Sequence, residues 1–354
     1  MSPGNPEPPV DTRWLGKSVL VTGACGTVGR ELLRQVVRLG PRRIVGLDNN
    51  ETELFFLGEE YAANPGVHLF LCDVRDRDGL TAKMAGADIV LHTAALKHVL
   101  QCERSPRDAL QTNVVGTQNV IDAAHACRVS RVVFTSSDKA VNPTNVMGTS
   151  KLMCERLITA ANAHRRAGDP IFASTRFGNV LGSRGSVVPL FARQIAAGGP
   201  VTLTDPAMTR FIMTLQEAAA LVVESVHAAR GGEVFVMKMP AVGIEDLAHV
   251  MIRRLAPRRG MDPRAVELRT VGMKPGEKLY EELLSDEEVR RTVETRRFFI
   301  VLPAFKSLYE EIDYDYADIV AARVERAYNS SLVPLLDRGQ LERFLEQVPL
   351  EEMN

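Results

Sequence analysis

Residues 17–29 read KSVLVTGACGTVG, and this stretch decides the fold. An apolar run, Val19 to Val21, stops at Thr22 and gives way to Gly23, Gly26 and Gly29 at three-residue intervals. Glycines let a backbone turn tightly and approach a pyrophosphate, whose charge then meets the amides of a helix start. A plain strand-to-helix turn also uses glycines, so position decides. The motif lies on the first strand of the pattern, and Asp48 follows near the ~20 residues at which a ribose-binding carboxylate is expected.

Working outward, short apolar runs alternate with longer helical stretches: RRIVGLD, VHLFLCD, DIVLHTA and RVVFTSS are each bounded by Gly, Asp or Ser. Runs of this kind suit strands buried on both faces, as in a parallel sheet covered by helices. The pattern predicts an α/β fold, with a Rossmann doubly wound parallel sheet over residues 16–178. Asp48 ends the second strand, where a carboxylate accepts hydrogen bonds from ribose hydroxyls and repels a 2′-phosphate, which favours NAD over NADP. Asn49 and Asn50 beside it are natural caps for the next helix. Asp73, before Val74, reads equally as an adenine-side carboxylate or a turn residue.

Near Asn179 the rhythm breaks into Gly/Pro-punctuated pieces. Residues 179–290 are expected to form mainly a smaller, discontinuous substrate-binding domain, with some segments returning to the first sheet. Residues 291–354 read as a C-terminal extension. Residues 1–15, MSPGNPEPPVDTRWL, read as a flexible tail.

The 354 residues exceed what one compact core usually holds, and the 45% hydrophobic content supports a large buried interior. With 43 basic and 44 acidic residues the net charge is -1 without long runs, which argues against a nucleic-acid partner. Cys25, Cys72, Cys102, Cys127 and Cys154 are odd in number, lack a Cys-x-x-Cys spacing, and read as reduced residues of a cytoplasmic protein. No signal peptide and no run near the ~20 apolar residues of a membrane span is visible. No metal ligand set stands out.

Two stretches carry candidate chemistry. LHTAALKHV places small residues, Thr93, Ala94 and Ala95, where a dinucleotide passes the backbone, then Lys97 and His98 toward the crevice beyond the strand ends. Residues 135–151, TSSDKAVNPTNVMGTSK, put Met147 four residues before Lys151. In short-chain dehydrogenases a Tyr-x-x-x-Lys pair does acid/base work, and a thioether has no proton to exchange. Either no redox chemistry occurs, or the acid and base are elsewhere, and Ser137, Asp138 and Lys139 are the candidates. A solvated ion pair is the plainer reading of Asp138 and Lys139. Met147 itself suits an apolar wall.

With these residues in view, the chain resembles extended short-chain dehydrogenase/reductases of the UDP-N-acetylglucosamine 4,6-dehydratase group. The likeness runs from about Leu15 to Leu284 through TGACGTVGREL, AALKHV, NVVGTQNVI, SSDKAVNPTNVMGTSK, RFGNVLGSRGSVVPLF and KPGEKLYEELL. It implies NAD held by Gly23, Gly26, Thr27, Val28, Gly29, Asp48, Asn49, Asn50, Asp73, Val74, Ala94, Ala95, Lys97, Asn113, Lys151, Phe177, Asn179 and Val180. It implies UDP-sugar contacts from Lys97, His98, Asn179, Val187, Val188, Gln194, Thr202 and Arg210, with Glu277 closing over the nucleotide. Ser137 stands where the group usually has threonine, Leu100 where proline is frequent, and Lys274 where arginine is usual. Methionine at position 147 resembles the bacillosamine-pathway branch, which retains the configuration at carbon 5, whereas tyrosine-bearing members include those that invert it.

The resemblance thus implies a hydro-lyase that stores hydride on tightly held NAD. Lys139 would take the 4-hydroxyl proton and Asp138 would protonate the departing 6-hydroxyl, or the reverse, with Ser137 on the keto oxygen; the base at carbon 5 stays open. Inversion at carbon 5, a 5,6-dehydratase or an epimerase are the alternatives, as is a redox-silent NAD-binding regulator. The resemblance also implies a homo-oligomer. Larger relatives of this branch carry an N-terminal membrane region, and this chain reads as a free-standing soluble counterpart.

Overall fold

A computed structural model of the chain describes residues 11–309 and 311–348. The first half alternates strand and helix: β1 (Ser18–Thr22), α1 (Thr27–Arg38), β2 (Arg43–Asp48), α2 (Glu51–Glu60), β3 (Val67–Leu71), α3 (Arg77–Met84) and β4 (Ile89–His92). Helices α4 (Val99–Arg104), α5 (Pro106–Ala109) and α6 (Gly116–Ala126) follow, the last entered through a π-helical turn at Leu110–Val115. Then come β5 (Arg131–Thr135), α7 (Val146–Ala160) and β6 (Ile171–Arg176).

The second half is more broken: β7 (Asn179–Val180), α8 (Val187–Ala196), β8 (Val201–Leu203), β9 (Thr209–Met213), α9 (Leu215–Ala228), β10 (Val234–Met237), β11 (Ala241–Gly243) and α10 (Ile244–Leu255). It ends with β12 (Leu268–Thr270), β13 (Glu282–Leu284), α11 (Asp286–Val289), β14 (Thr292–Thr295), β15 (Phe298–Val301), β16 (Ile319–Ala321), β17 (Tyr328–Asn329) and α12 (Arg338–Leu345).

Among the described residues the main sheet has ten strands, in the order β16-β14-β15-β10-β6-β5-β4-β1-β2-β3. Neighbours from β3 to β10 pair in parallel, and β15, β14 and β16 add antiparallel. All of β1 is buried because both faces are covered. Val19 and Val21 join the core formed with α1 and α9, while Leu20 joins the core formed with α3, α6 and α7. Strand order reverses between β1 and β4, and ligands of open α/β sheets bind at such a switch point. The doubly wound reading of the sequence therefore holds.

A second core, built by Val188, Phe191 and Ile195 of α8, Leu247 and Met251 of α10, and Leu341 and Leu345 of α12, sits with the small sheets β11-β9-β7 and β12-β8. Two boundaries differ from the sequence reading. Trp14, placed in the tail, is fully buried in the main core and meets His227 edge-on at 5.2 Å; residues 1–10 of that tail lie outside the described residues. The segment read as a C-terminal extension supplies β14, β15 and β16 to the main sheet and α12 to the second core. Edge pairing and apolar helix faces fix these pieces, and its last residues, 349–354, lie outside the described part.

Candidate active site

The glycine loop divides its labour. Gly23 has φ +70°, and a Cβ there would stand 2.7 Å from Ala94 N, so the β1 and β4 loops touch. A Cβ on Gly29 would fall 2.0 Å from Gly23 O, which locks helix to loop. A Cβ on Gly26 would meet only Gly23 O, at 3.1 Å, so this is the glycine that leaves room beside the loop. Gly26 is also the N-cap of α1 and has no side chain to satisfy the first amides, which leaves the N–H groups of Thr27, Val28 and Gly29 for an anion. Asp48 braces the loop by accepting from Cys25 N (2.9 Å) and Asn50 N (3.0 Å), which leaves lone pairs for two hydroxyls.

Other residues expected around the cofactor have structural partners of their own. Asn50 caps α2 by accepting from Glu53 N. Asn49 donates to Asp73, whose carboxyl the Arg75 guanidinium holds down at about 2. Val74 is buried and packs where Gly116 gives it room. Asn113 is buried in the π-helical turn, ties both backbone groups of Leu96 and donates to Ser150 Oγ at 2.8 Å. It shapes the 93–98 loop, and its amide is fully used. Phe177 is buried in the main core, and its carbonyl takes Asp138 N at 3.1 Å.

The catalytic candidates follow β5. Ser137 caps a single 3-10 turn, Asp138–Ala140, that is pinned to the end of β6 by Ser136 N donating to Thr175 O and Asp138 N to Phe177 O. The turn rests on α7: a Cβ on Gly148 would lie 2.2 Å from Lys139 O, so only glycine admits this approach. Asp138 is fully buried, and its Oδ1 accepts from Ser137 Oγ (2.7 Å), Lys139 N (2.8 Å) and Lys139 Nζ (3.1 Å). Its Oδ2 has no hydrogen-bond partner among the described residues.

Lys139 faces a cavity of about 380 Å³ between the main sheet and the smaller unit. Its wall includes His98, Asn179, Val187, Thr202, Arg210 and Glu277, all expected at the sugar nucleotide, and also Glu281, which sequence reasoning missed. Lys139 Nζ is 3.6 Å from Glu281 Oε1. Burial opposes the charge on Lys139, but Asp138 and Glu281 together outweigh it and hold the ammonium above its ordinary value. Burial raises the Glu281 carboxyl.

Some expected contacts do not reach this cavity. Val188 is wholly within the second core, because the α8 period that turns Val187 and Leu190 to the cavity turns Val188 and Ile195 away from it. Gln194 is spent on β8, donating to Thr202 Oγ1 and accepting from Thr202 N. Lys97 Nζ donates to Arg184 O at 2.9 Å, in a loop whose guanidinium crosses to Cys25 O and Glu53 beside the glycine loop. Arg210 lines the cavity but gives its donors to the carbonyls of Thr209, Lys278 and Leu279, so it latches the 278–281 segment. Glu277 accepts from Lys274 N within its own turn.

Met147 and Lys151 occupy successive turns of α7. Met147 is buried against Cys102 and Ala109, an apolar wall. Lys151 Nζ donates to Thr135 O at 2.8 Å and lies 4.6 Å over the Phe134 ring, and burial pushes its ammonium below its ordinary value. Among the described residues no helix is long and apolar enough to cross a membrane, and no group of His, Cys, Asp and Glu is placed to hold a metal ion.

Comparison with known proteins bears on this arrangement. A family described as polysaccharide biosynthesis protein matches residues 19–303. An uncharacterized membrane protein of Methanocaldococcus jannaschii is 47% identical over 287 residues, 81% of this chain and 86% of that one. A UDP-N-acetylglucosamine 4,6-dehydratase (inverting) of Campylobacter jejuni is 34% identical, covering 84% and 86%. A UDP-glucose 4-epimerase of Rickettsia rickettsii is 36% identical, covering 81% and 83%. Other curated relatives are longer, and the chain spans 47% and 46% of two of them. Among solved structures, Pen from Bacillus thuringiensis superposes with a TM-score of 0.86 at 37% identity, covering 94% of this chain and 98% of that one.

Proposed function

The chain belongs to the polysaccharide biosynthesis protein family of extended short-chain dehydrogenase/reductases, and from that premise we propose that it is an NAD-dependent nucleotide-sugar 4,6-dehydratase. Its substrate in this reading is UDP-N-acetylglucosamine and its product UDP-2-acetamido-2,6-dideoxy-4-keto-hexose, with the carbon 5 configuration retained. One observation carries the reading. Lys139 stands on the cavity wall with Asp138 bonded behind it, while a methionine without an exchangeable proton takes the dehydrogenase tyrosine position.

The crevice between β1 and β4 fits a dinucleotide: an open glycine, free helix amides and a carboxylate with spare lone pairs converge there. Bound NAD supplies a transient store for the hydride of carbon 4. Gly26, Thr27, Val28 and Gly29 would hold its pyrophosphate and Asp48 a ribose, with Lys151 beside the reacting end. The sugar nucleotide occupies the cavity against Asn179, Val187, Thr202 and Glu277.

Lys139 meets the sugar and takes the 4-hydroxyl proton. The keto group that results acidifies the carbon 5 proton and prepares the loss of the 6-hydroxyl as water. Asp138 lies behind Lys139 as seen from the cavity, so it acts on the 6-hydroxyl through Lys139, its carboxylate holding the ammonium that hands a proton to the leaving oxygen. Ser137 Oγ, which donates to Asp138 Oδ1 beside Lys139, would turn to the keto oxygen and partly replace the tyrosine.

Purified protein incubated in deuterated water with UDP-N-acetylglucosamine and no added cofactor should give a 4-keto sugar with a 6-deoxy methyl group in the NMR spectrum. A product with neither feature overturns the reading. The 36% identity to a UDP-glucose 4-epimerase favours a second reading, in which carbon 4 is oxidised and returned with opposite configuration. The same spectrum separates the two, because an epimer keeps its 6-hydroxyl.

A further inference from the structure

Glu281 is the cavity residue that the mechanism so far leaves idle. Its carboxylate is 3% exposed, with Oε1 3.6 Å from Lys139 Nζ and 3.5 Å from Arg210 Nε. Its Oε2 is buried and has no hydrogen-bond partner among the described residues. The backbone is fixed on both sides, since Glu281 N donates to Ser330 Oγ and Ser330 N donates to Glu281 O, each at 2.9 Å. A buried carboxylate held so firmly and left half satisfied needs a reason beyond packing.

The reason lies in what Lys139 must do. As a base toward a sugar hydroxyl, its nitrogen needs a lone pair, yet between two carboxylates it carries three protons. One proton must leave before another can arrive. Asp138 Oδ1 already takes Ser137 Oγ, Lys139 N and Lys139 Nζ, all within 3.1 Å. Among the described residues, Glu281 Oε1 has only the two longer ionic contacts, and its second oxygen has none. The charged groups that face it are Lys139 and Asp138 from the turn after β5, Arg210 from β9, and Lys278 from its own segment.

We propose that Glu281 is the proton acceptor that frees Lys139 to act as a base. When the sugar binds, an N–H bond of the Lys139 ammonium breaks and an O–H bond forms on Glu281, leaving a neutral amine and a carboxylic acid. The amine lone pair then takes the hydroxyl proton and becomes ammonium again. Glu281 returns its proton to Lys139 when that ammonium hands one on to the departing hydroxyl, and the cluster is reset. Glu281 acts through Lys139 and is a positioning residue in that sense; the inference rests on the reading that Lys139 meets a sugar hydroxyl.

The test compares wild type with Glu281→Gln, which keeps the shape but cannot take the proton, from about pH 6 to about pH 10. At neutral pH the variant should turn over about 10²-fold more slowly, with KM for UDP-N-acetylglucosamine within about threefold. The deficit should shrink by about tenfold per pH unit, because Lys139 must then lose its proton to water. A readout free of turnover accompanies it: in lysine-labelled, sugar-free protein the NMR titration midpoint of Lys139 should fall in Glu281→Gln. Glu281→Asp, which keeps a carboxyl, should be slowed without the steep pH dependence. Wild-type turnover in Glu281→Gln, an equal deficit at every pH, or an unmoved Lys139 midpoint overturns this inference alone. A wild-type protein that makes no product at any pH overturns the functional reading and this inference with it.

Discussion

Two buried ionic clusters join the 276–288 segment to the main sheet, and they are built to opposite ends. In one, the Arg176 guanidinium from β6 makes two hydrogen bonds to Glu155 on α7, two to Glu288 on α11 and one to Leu283 O, at 2.6–3.0 Å. In the other, Lys139 lies between Asp138 and Glu281, and each carboxylate keeps one oxygen without a partner among the described residues. The first cluster uses every charged oxygen, and the second withholds two. A fully satisfied buried network specifies a docking geometry, whereas an incompletely satisfied one is a costly state that persists when a ligand completes it. The difference separates a clamp from the proposed working site, although both are made of the same few residue types.

The largest effect should come from neutralising the working cluster without disturbing its shape. Asp138→Asn should lower turnover in the proposed dehydration by about 10³-fold, about 4 kcal/mol of barrier, while the melting midpoint stays within a few degrees. Parallel activity assays and thermal melts would check this. Unchanged turnover removes Asp138 from the chemistry, and a collapse in stability makes this cluster a second clamp.

The complementary change strikes the clamp. Arg176→Met leaves Glu155 and Glu288 buried without their cation and should cost about 3–5 kcal/mol of stability, seen in denaturant unfolding. The same cluster sets an acid limit. Burial works to raise the Glu288 carboxyl, but Arg176 outweighs it and holds the group at about 2, below its ordinary value of 4.5. The stability this adds is complete above the unfolded value, and it drains away as pH falls through the folded one. Wild-type unfolding free energy should therefore drop between about pH 4.5 and about pH 2, and the drop should be shallower in Glu288→Gln. Equal slopes in the two proteins would break the assignment.

A smaller effect is expected where the turn meets its helix. Gly148→Ala places a methyl on Lys139 O and forces the Asp138–Ala140 turn off α7, an overpacking that costs about 1–3 kcal/mol. Because the displaced group is the turn that carries Lys139, the proposed base, turnover should fall by more than the loss of folded protein explains. A variant that loses both in proportion would show that the turn shifts as a unit without disturbing Lys139.

The two clusters also differ in how far the sequence revealed them. The glycine loop, Asp48 and the alternation of strands were legible because each depends on short-range spacing: a turn, a strand end, a period. Asp138 and Lys139 were legible because they follow a strand at the ligand-binding edge. Glu281 was not, since KPGEKLYEELL offers Glu277, Glu281 and Glu282 alike. Tertiary docking chooses among them. Lys278 Nζ reaches Val141 O, Thr144 Oγ1 reaches Gly276 O, and Asn142 reaches Glu282, and together these bring Glu281 rather than its neighbours against Lys139. Val188 was misplaced for a local reason that the α8 period contained: Val188, Phe191 and Ile195 share one inward face, and adjacent Val187 does not.

The smallest effect concerns the residue that first made the chain look deficient. Met147 is 4% exposed and touches apolar side chains, so what it supplies is volume and the exclusion of water beside Lys151. Leucine supplies nearly the same volume. Met147→Leu should therefore cost under about 1.5 kcal/mol and leave turnover within about twofold. The comparison sharpens if Met147→Ser is assayed beside it, because a hydroxyl there admits water and a hydrogen-bonding group while deleting the packing. If Met147→Leu abolished turnover at wild-type stability, the thioether would be contacting the reacting sugar, and the working site would extend from the Asp138–Ala140 turn across α7.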